Sequence, residues 1–405
     1  MPKLGNIPLV SDGTGEASGA AFTLVSPAKG NALLALDNAV IEVRRGQPNV
    51  VVRFTSTGDP ATAFAHGHQF AQQGLDLMSV LGRQDALIQD AEDEHALWWT
   101  EADGLVVRLV STTILELAVG SMTAVVHDKE GNVIPQATPQ PRHHIGFRYY
   151  RLAQVTDDLF DAFRNMYLAF EALLSTQYPI AKGEREIDWL RRALSAGSAT
   201  LPLGSLRISP EADPVEYILD AVYKDTRLPL FHAKEGREYF PPQDSPTDRE
   251  VVSRALGVLT HIVIGIANSW YDARRQGGGF FFSWIYNNVK SMLTNASVCF
   301  SNHDGPYDPN ESDLSHPRFE KAVKAACKLS AQLGRGREPA IFASVRGTDV
   351  SSLNRLRRIE VVTPQHPVIA HILEAELECS GTMRLEALIH VRAMNLNQPK
   401  SLFRR

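Results

Sequence analysis

The chain has 405 residues, 44% hydrophobic and 21% charged, with a formal net charge of -5. That length calls for two or three domains of roughly 100–200 residues, and the charge excludes a molecule that is basic throughout, as a general nucleic-acid binder would be. Cys299, Cys327 and Cys379 are far apart and form no CxxC pair, which excludes a zinc ribbon or disulfide framework and points to a reducing, cytoplasmic setting.

Residues 1–20 are rich in Gly, Ser and Pro, without the apolar run of a signal peptide. Apolar, β-branched runs at 21–26, 39–44 and 49–55 predict short strands. From Ala61 to Leu81, Phe64, Phe70, Leu75 and Met78 predict a helix despite Gly67 and Gly74. Trp98 and Trp99 open another strand, and Asp103-Gly104 marks a hairpin turn. Residues 1–145 are expected to form an α+β domain, mainly antiparallel sheet, ending in a linker at Pro135, Pro139 and Pro141.

Helical spacing then takes over. Thr156 is placed to cap a helix with Leu159, Phe163, Met166, Tyr167, Phe170 and Leu174 on one face. A second helix is expected at about 185–195. A third starts at Asp213-Pro214, a cap followed by proline. Thr247-Asp-Arg-Glu250 has capping-box spacing and opens the longest helix, through Val252, Leu259, Val263 and Trp270. Its Ser253, Arg254, Thr260 and His261 interrupt the apolar run, so it reads as a core helix and no membrane span is expected. Residues 146–276 are therefore expected to form a central all-α, up-and-down helical bundle.

Residues 277–405 are expected to be a smaller mixed α/β region. Phe280–Ile285 fits a buried strand or a helix start. A helix is expected from Ser315 through Val323 and Ala326 to Leu333, and another at about 367–377. Strands are expected at 339–345, 358–363 and 385–393. Basic residues gather over the last 75 positions, a distribution compatible with a polyanion partner or with scattered solvated arginines.

The sharpest chemical signal is Arg227-Leu-Pro-Leu-Phe-His232, directly after the third helix. An arginine offers phosphate a planar fork of donors, and a histidine can take or give a proton near neutrality. The same pair fits a solvated arginine and a core histidine. On an ideal helix, positions five apart point about 140° away from each other. Glu171 is a candidate third catalytic residue. Arg164, Lys234 and Arg237 are candidate substrate contacts, with surface charge as the plain alternative. His66, His68, His143, His144 and His303 lack metal-ligand spacing, and no metal or cofactor is expected.

Residues 150–272 resemble the HEPN superfamily, helical bundles marked by an arginine, four to six arbitrary residues and a histidine late in the bundle. Ala162–Leu174, with its Ala169-Phe170-Glu171 setting, is similar to the family's first helix, and Gly183-Glu184-Arg185 to Trp189-Leu190 fits the same pattern. The overall layout is also similar to methylamine-utilisation J-like proteins. The resemblance implies a homodimer through the bundle and metal-independent RNA cleavage in a prokaryotic toxin or anti-phage effector, under a regulatory or antitoxin partner. Arg227 would stabilise phosphate charge and His232 would act as general acid/base. Leu228 stands where active members usually carry a polar residue, and Pro229 interrupts the motif. These two motivate an alternative, a non-catalytic dimerisation or nucleotide-binding module.

Overall fold

The protein is described from a computed structural model covering residues 1–10, 18–55, 60–117, 128–132, 140–156, 158–201, 203–206, 212–232, 239–240, 246–273, 282–303, 322–335, 338–363 and 367–395. In chain order the elements begin with β1 (Lys3–Leu4), β2 (Ile7–Pro8), β3 (Ser18–Thr23), β4 (Ala32–Leu36), β5 (Ala39–Val43) and β6 (Asn49–Phe54). Helix α1 (Pro60–Val80), β7 (Glu94–Glu101) and β8 (Gly104–Leu117) follow. The helical stretch holds α2 (Gly146–Val155), α3 (Leu159–Gln177), α4 (Glu186–Gly197), α5 (Pro214–Ile218), a π-helix (Leu219–Arg227), α6 (Leu228–Phe231) and α7 (Pro246–Tyr271). Then come α8 (Phe282–Met292), β9 (Ser297–Ser301), β10 (Val323–Ala326), β11 (Lys328–Arg335), β12 (Glu338–Arg346), α9 (Thr348–Leu353), β13 (Arg355–Val362), β14 (Pro367–Glu378) and β15 (Thr382–Asn395).

These elements group into two compact units, one of Met1–Glu116 with Phe280–Met394, the other of Leu117–Gly279 with Asn395–Arg405. The expected architecture, a central all-α up-and-down bundle flanked by a mostly antiparallel α+β N-terminal domain and a smaller mixed α/β C-terminal region, is overturned. The chain is an α+β protein dominated by two large sheets, each drawing strands from both ends of the sequence. One runs β10-β9-β13-β14-β1-β2 and the other β11-β12-β15-β8-β7-β3-β6-β5-β4. Lys3 pairs opposite Glu378, a contact no local pattern announces.

The strands belong together because their apolar faces fit one core. Trp98, Val107, Ile341 and Ile389 of the nine-stranded sheet share it with Phe300, Ile359 and Leu377 of the six-stranded sheet. The run Asn49-Val-Val-Val-Arg-Phe54 is buried throughout because both faces are covered. Val51 joins the core between the sheets, while Val50, Val52 and Phe54 face the other way, into a core shared with α1. Two further expectations fail here. The described part of the expected 315–333 helix is β10 and β11, and the expected 367–377 helix is β14. In β14, Ile369, Leu373, Ala375 and Leu377 enter the core, and pairing with β13 decides the conformation of a stretch rich in helix formers.

In the other unit, Asp158 rather than Thr156 caps α3, accepting the Asp161 N–H at 2.8 Å; Thr156 instead terminates α2. Asp213 caps α5 ahead of Pro214, as the sequence indicates. Only α3 and α7 are long, and they pack together with α2 and the short, irregular α5–π–α6 segment. Among the described residues one helix, Thr247–Tyr271, is long and apolar enough to cross a membrane by composition. Val252, Leu259, Ile262 and Ile266 spend that apolarity in the helical core.

Gly67 and Gly74, poor helix formers inside α1, are explained by the sheet beneath. A Cβ at Gly67 would lie 2.4 Å from Ala20 Cβ, and one at Gly74 2.8 Å from Ile41 Cγ1. The helix can approach the sheet only where these side chains are absent. Gly67→Ala should therefore destabilise the β-rich unit by about 1–3 kcal/mol through overpacking, although an exposed Gly→Ala change in a helix gains about 1 kcal/mol. Urea denaturation reads the sign directly, and a neutral or stabilised variant would contradict the close packing.

Candidate functional site

Arg227 ends the nine-residue π-helix. The widened turn has local causes. The buried Thr226 hydroxyl donates to the Ala221 carbonyl five residues back, at 2.7 Å. The Leu228 N–H likewise reaches back five residues, to the Tyr223 carbonyl. Pro229 has no N–H to donate and its ring crowds the preceding turn; the widened register lets the helix continue into α6 without the break that the sequence suggests. Residues four apart almost eclipse in such a turn, which brings Tyr223 and Arg227 together.

The Glu186 carboxylate, at the start of α4, is the focus. Arg227 Nη2 lies 3.0 Å from Glu186 Oε2. The Tyr167 hydroxyl donates to Oε1 at 2.8 Å, and that of Tyr223 to Oε2 at 3.2 Å. The Arg227 guanidinium stacks near three rings, those of Phe231 at 5.3 Å, Tyr223 at 5.4 Å and Tyr167 at 5.8 Å. Its Nε is buried without a hydrogen-bond partner. The side chains of Arg227 and Glu186 are 20% and 24% exposed, so one edge of the pair reaches solvent.

Glu171 follows Tyr167 by one helical turn on α3, and so shares its face. Burial first, then the negative Glu186, pushes its carboxyl above the usual range, against the pull of Arg227. Burial and Glu186 also raise the phenols of Tyr167 and Tyr223, keeping both as hydrogen-bond donors. A carboxyl whose proton affinity is raised beside a fixed guanidinium is an arrangement suited to proton transfer.

Glu171 thus feels both charges of the Glu186–Arg227 pair. His232 caps α6 in extended conformation (φ -135, ψ 106), half-buried and without a hydrogen bond among the described residues. The ideal-helix angle between positions 227 and 232 does not apply to a π-to-α junction ending in extended backbone. Arg164 pairs with Asp161 at 2.9 Å, and Lys234 and Arg237 lie outside the described residues. Sequence reasoning passed over Glu186, Tyr167, Tyr223 and Phe231. In the sequence Tyr167 stands as one member of an apolar stripe, yet a buried tyrosine needs a partner for its hydroxyl. His68 packs against Phe22 and Phe64. Among the described residues, no group of three or more His, Cys, Asp or Glu could hold a metal ion. No protein-family model, curated protein or solved structure matches the chain.

The β-rich unit holds a second titratable cluster. Glu94 Oε1 is 3.7 Å from His371 Nε2. Burial, then the charges of Glu374 and Asp90, pushes the Glu94 carboxyl up to about 7, against the Thr23 hydroxyl. Burial also lowers His371. The cavity beside them, about 30 Å³, has room for a water rather than a substrate. A carboxyl raised on folding favours the folded state while protonated, and that contribution is lost as pH climbs from about 4.5 to about 7. Glu94→Gln keeps the neutral form at every pH. It should match the wild type in Tm near pH 4.5 and exceed it above pH 7; a Tm difference constant across that range would contradict the assignment.

Proposed function

We propose that the helical unit is a metal-independent endoribonuclease of HEPN type, acting in the cytoplasm as a toxin or anti-phage effector. The observation that carries this reading is the π-helix closing on Arg227, which Glu186 holds beside the high-pKa Glu171. π-helical turns are costly and recur at functional sites. In the proposed reaction a ribose 2′-oxygen bonds to phosphorus and the bond to the 5′-oxygen breaks. One of Glu171 and His232 takes the 2′ proton, and the other supplies a proton to the leaving 5′-oxygen. Arg227 offers its solvent-facing edge to the charge on the phosphoryl oxygens. The products carry a 2′,3′-cyclic phosphate and a 5′-hydroxyl, and DNA resists for want of the 2′-hydroxyl. A homodimer through the helical unit and a regulatory or antitoxin protein are the partners this reading calls for.

One observation favours a second reading. Arg227 already has a carboxylate and three rings as partners, which suits a non-catalytic dimerisation or nucleotide-binding module equally well in chemical terms. The full chain, incubated with mixed RNA in EDTA, separates the two. Under the first reading, RNA is cut to cyclic-phosphate ends, and His232→Ala lowers the rate by about 10²–10⁴-fold. Equal cutting by the variant would displace His232 from the site. No cutting by either protein would leave the non-catalytic module.

A further inference from the structure

The two sheets of the β-rich unit end on four edge strands, β2, β10, β11 and β4. An edge offers unpaired N–H and C=O groups to any other strand, and folded proteins blunt it with short length, charge, proline or a bulge. Strand β2 has two residues, one of them Pro8, and β10 carries Lys324. Strand β11 carries Lys328 and Arg335 and shifts register between Ser330 and Arg335. Strand β4, Ala32-Leu-Leu-Ala-Leu36, has no charge, no proline and no register shift against β5. Among the described residues its outer edge pairs with no strand, and Leu33 is 59% exposed.

The end of α1 flanks the same edge. Gly67 rests on Ala20 of β3 and Gly74 on Ile41 of β5, so the helix crosses the sheet toward β4 as it runs. Phe64 meets His95 of β7 whereas Phe70 meets Phe54 of β6, so the Phe70 side of the helix faces β5 and β4. Leu77 and Leu81 follow Phe70 on that side, seven and eleven residues on, with Val80 beside them. Leu77, Val80 and Leu81 are 43%, 86% and 54% exposed, while Met78 turns into the core with Leu34 and Leu36. The helix end lies by the start of β4, where Gln84 Oε1 accepts from the Lys29 and Gly30 N–H groups.

We propose that β4 is a dimer interface, at which two copies of this chain pair their β4 strands antiparallel about a two-fold axis and join their nine-stranded sheets into one. The strand suits a second copy of itself. A register centred on Leu34 sets each Ala32 opposite a Leu36 and each Leu33 opposite an Ala35, small against large, and no charge inside the strand meets its like. Exposed Lys29 lies just before β4 and exposed Asp37 directly after it, so antiparallel pairing sets the basic end of each strand against the acidic end of the other. It also lays the Leu77–Leu81 turn of each copy over the far end of the other's strand. The strand edge with Leu33, Leu77, Val80 and Leu81 offers on the order of 500 Å² per copy, the low end of specific interfaces, which fits a reversible dimer of micromolar Kd. This contact is separate from the helical unit and stands whether or not RNA is cleaved.

Amide hydrogen exchange of the full chain, compared at about 1 μM and about 100 μM, tests the contact locally, apart from any association through the helical unit. Residues 32–36 should exchange about tenfold more slowly at the higher concentration. Leu33→Lys places a charge of the kind that guards other edges at a side chain already exposed. It should leave the Tm of the dilute protein unchanged and remove the protection of residues 32–36. Val80→Glu, on the exposed flank of α1, should weaken that protection as well. Exchange of residues 32–36 that does not depend on concentration overturns the proposal, whether the edge then stays empty or serves a strand of another protein. Concentration-dependent protection that survives both substitutions overturns it equally.

Discussion

One carboxylate organises the helical unit. Glu186 receives two phenols and a guanidinium from two other elements, α3 and the π-helix. A half-buried charge left alone is expensive, so each partner depends on the others being in place. The arrangement also fixes the chemistry nearby. Glu186 raises the proton affinity of Glu171, while its pairing with Arg227 keeps that cation at a defined point. The π-helix fits the same constraint: an ordinary α-turn would collide with Pro229, and the widened turn carries the helix past it.

The β-rich unit depends on a different constraint, the need to cover both faces of a nine-stranded sheet. One face is closed by the six-stranded sheet and the other largely by α1. Strands from opposite ends of the chain meet because a sheet with one apolar face exposed would be unstable. Arg108, Glu386, Arg384 and Glu101 run along that second face of the nine-stranded sheet as an ion-pair chain linking β7, β8 and β15.

How much of this was legible follows from the range of each interaction. Helix caps at Asp213 and the hairpin at Asp103-Gly104 are local and were read directly. The strand at Asn49–Phe54 was equally plain from its β-branched run. The pairing of Lys3 with Glu378 was not, because nothing within either segment names its partner. The stretch at 367–377 reads as helix from Ala370, Leu373, Glu374 and Ala375, and long-range pairing with β13 overrides that preference. At the site, Arg227 and Glu171 were singled out by residue type. Glu186 was hidden, since its role exists only once α3, α4 and the π-helix converge. Pro229 was seen as a break, whereas the chain absorbs it by widening the turn before it.

The claim on which the account of the site rests is that Glu186 and Arg227 act as a coupled pair. A double-mutant cycle, with Glu186→Gln and Arg227→Met made singly and together in the full chain, measures that coupling directly. Urea unfolding followed by the helical circular-dichroism signal gives the three stability changes. The account expects an interaction energy of about 1–3 kcal/mol between the two positions. Additive losses, leaving no coupling beyond the experimental error, would contradict it.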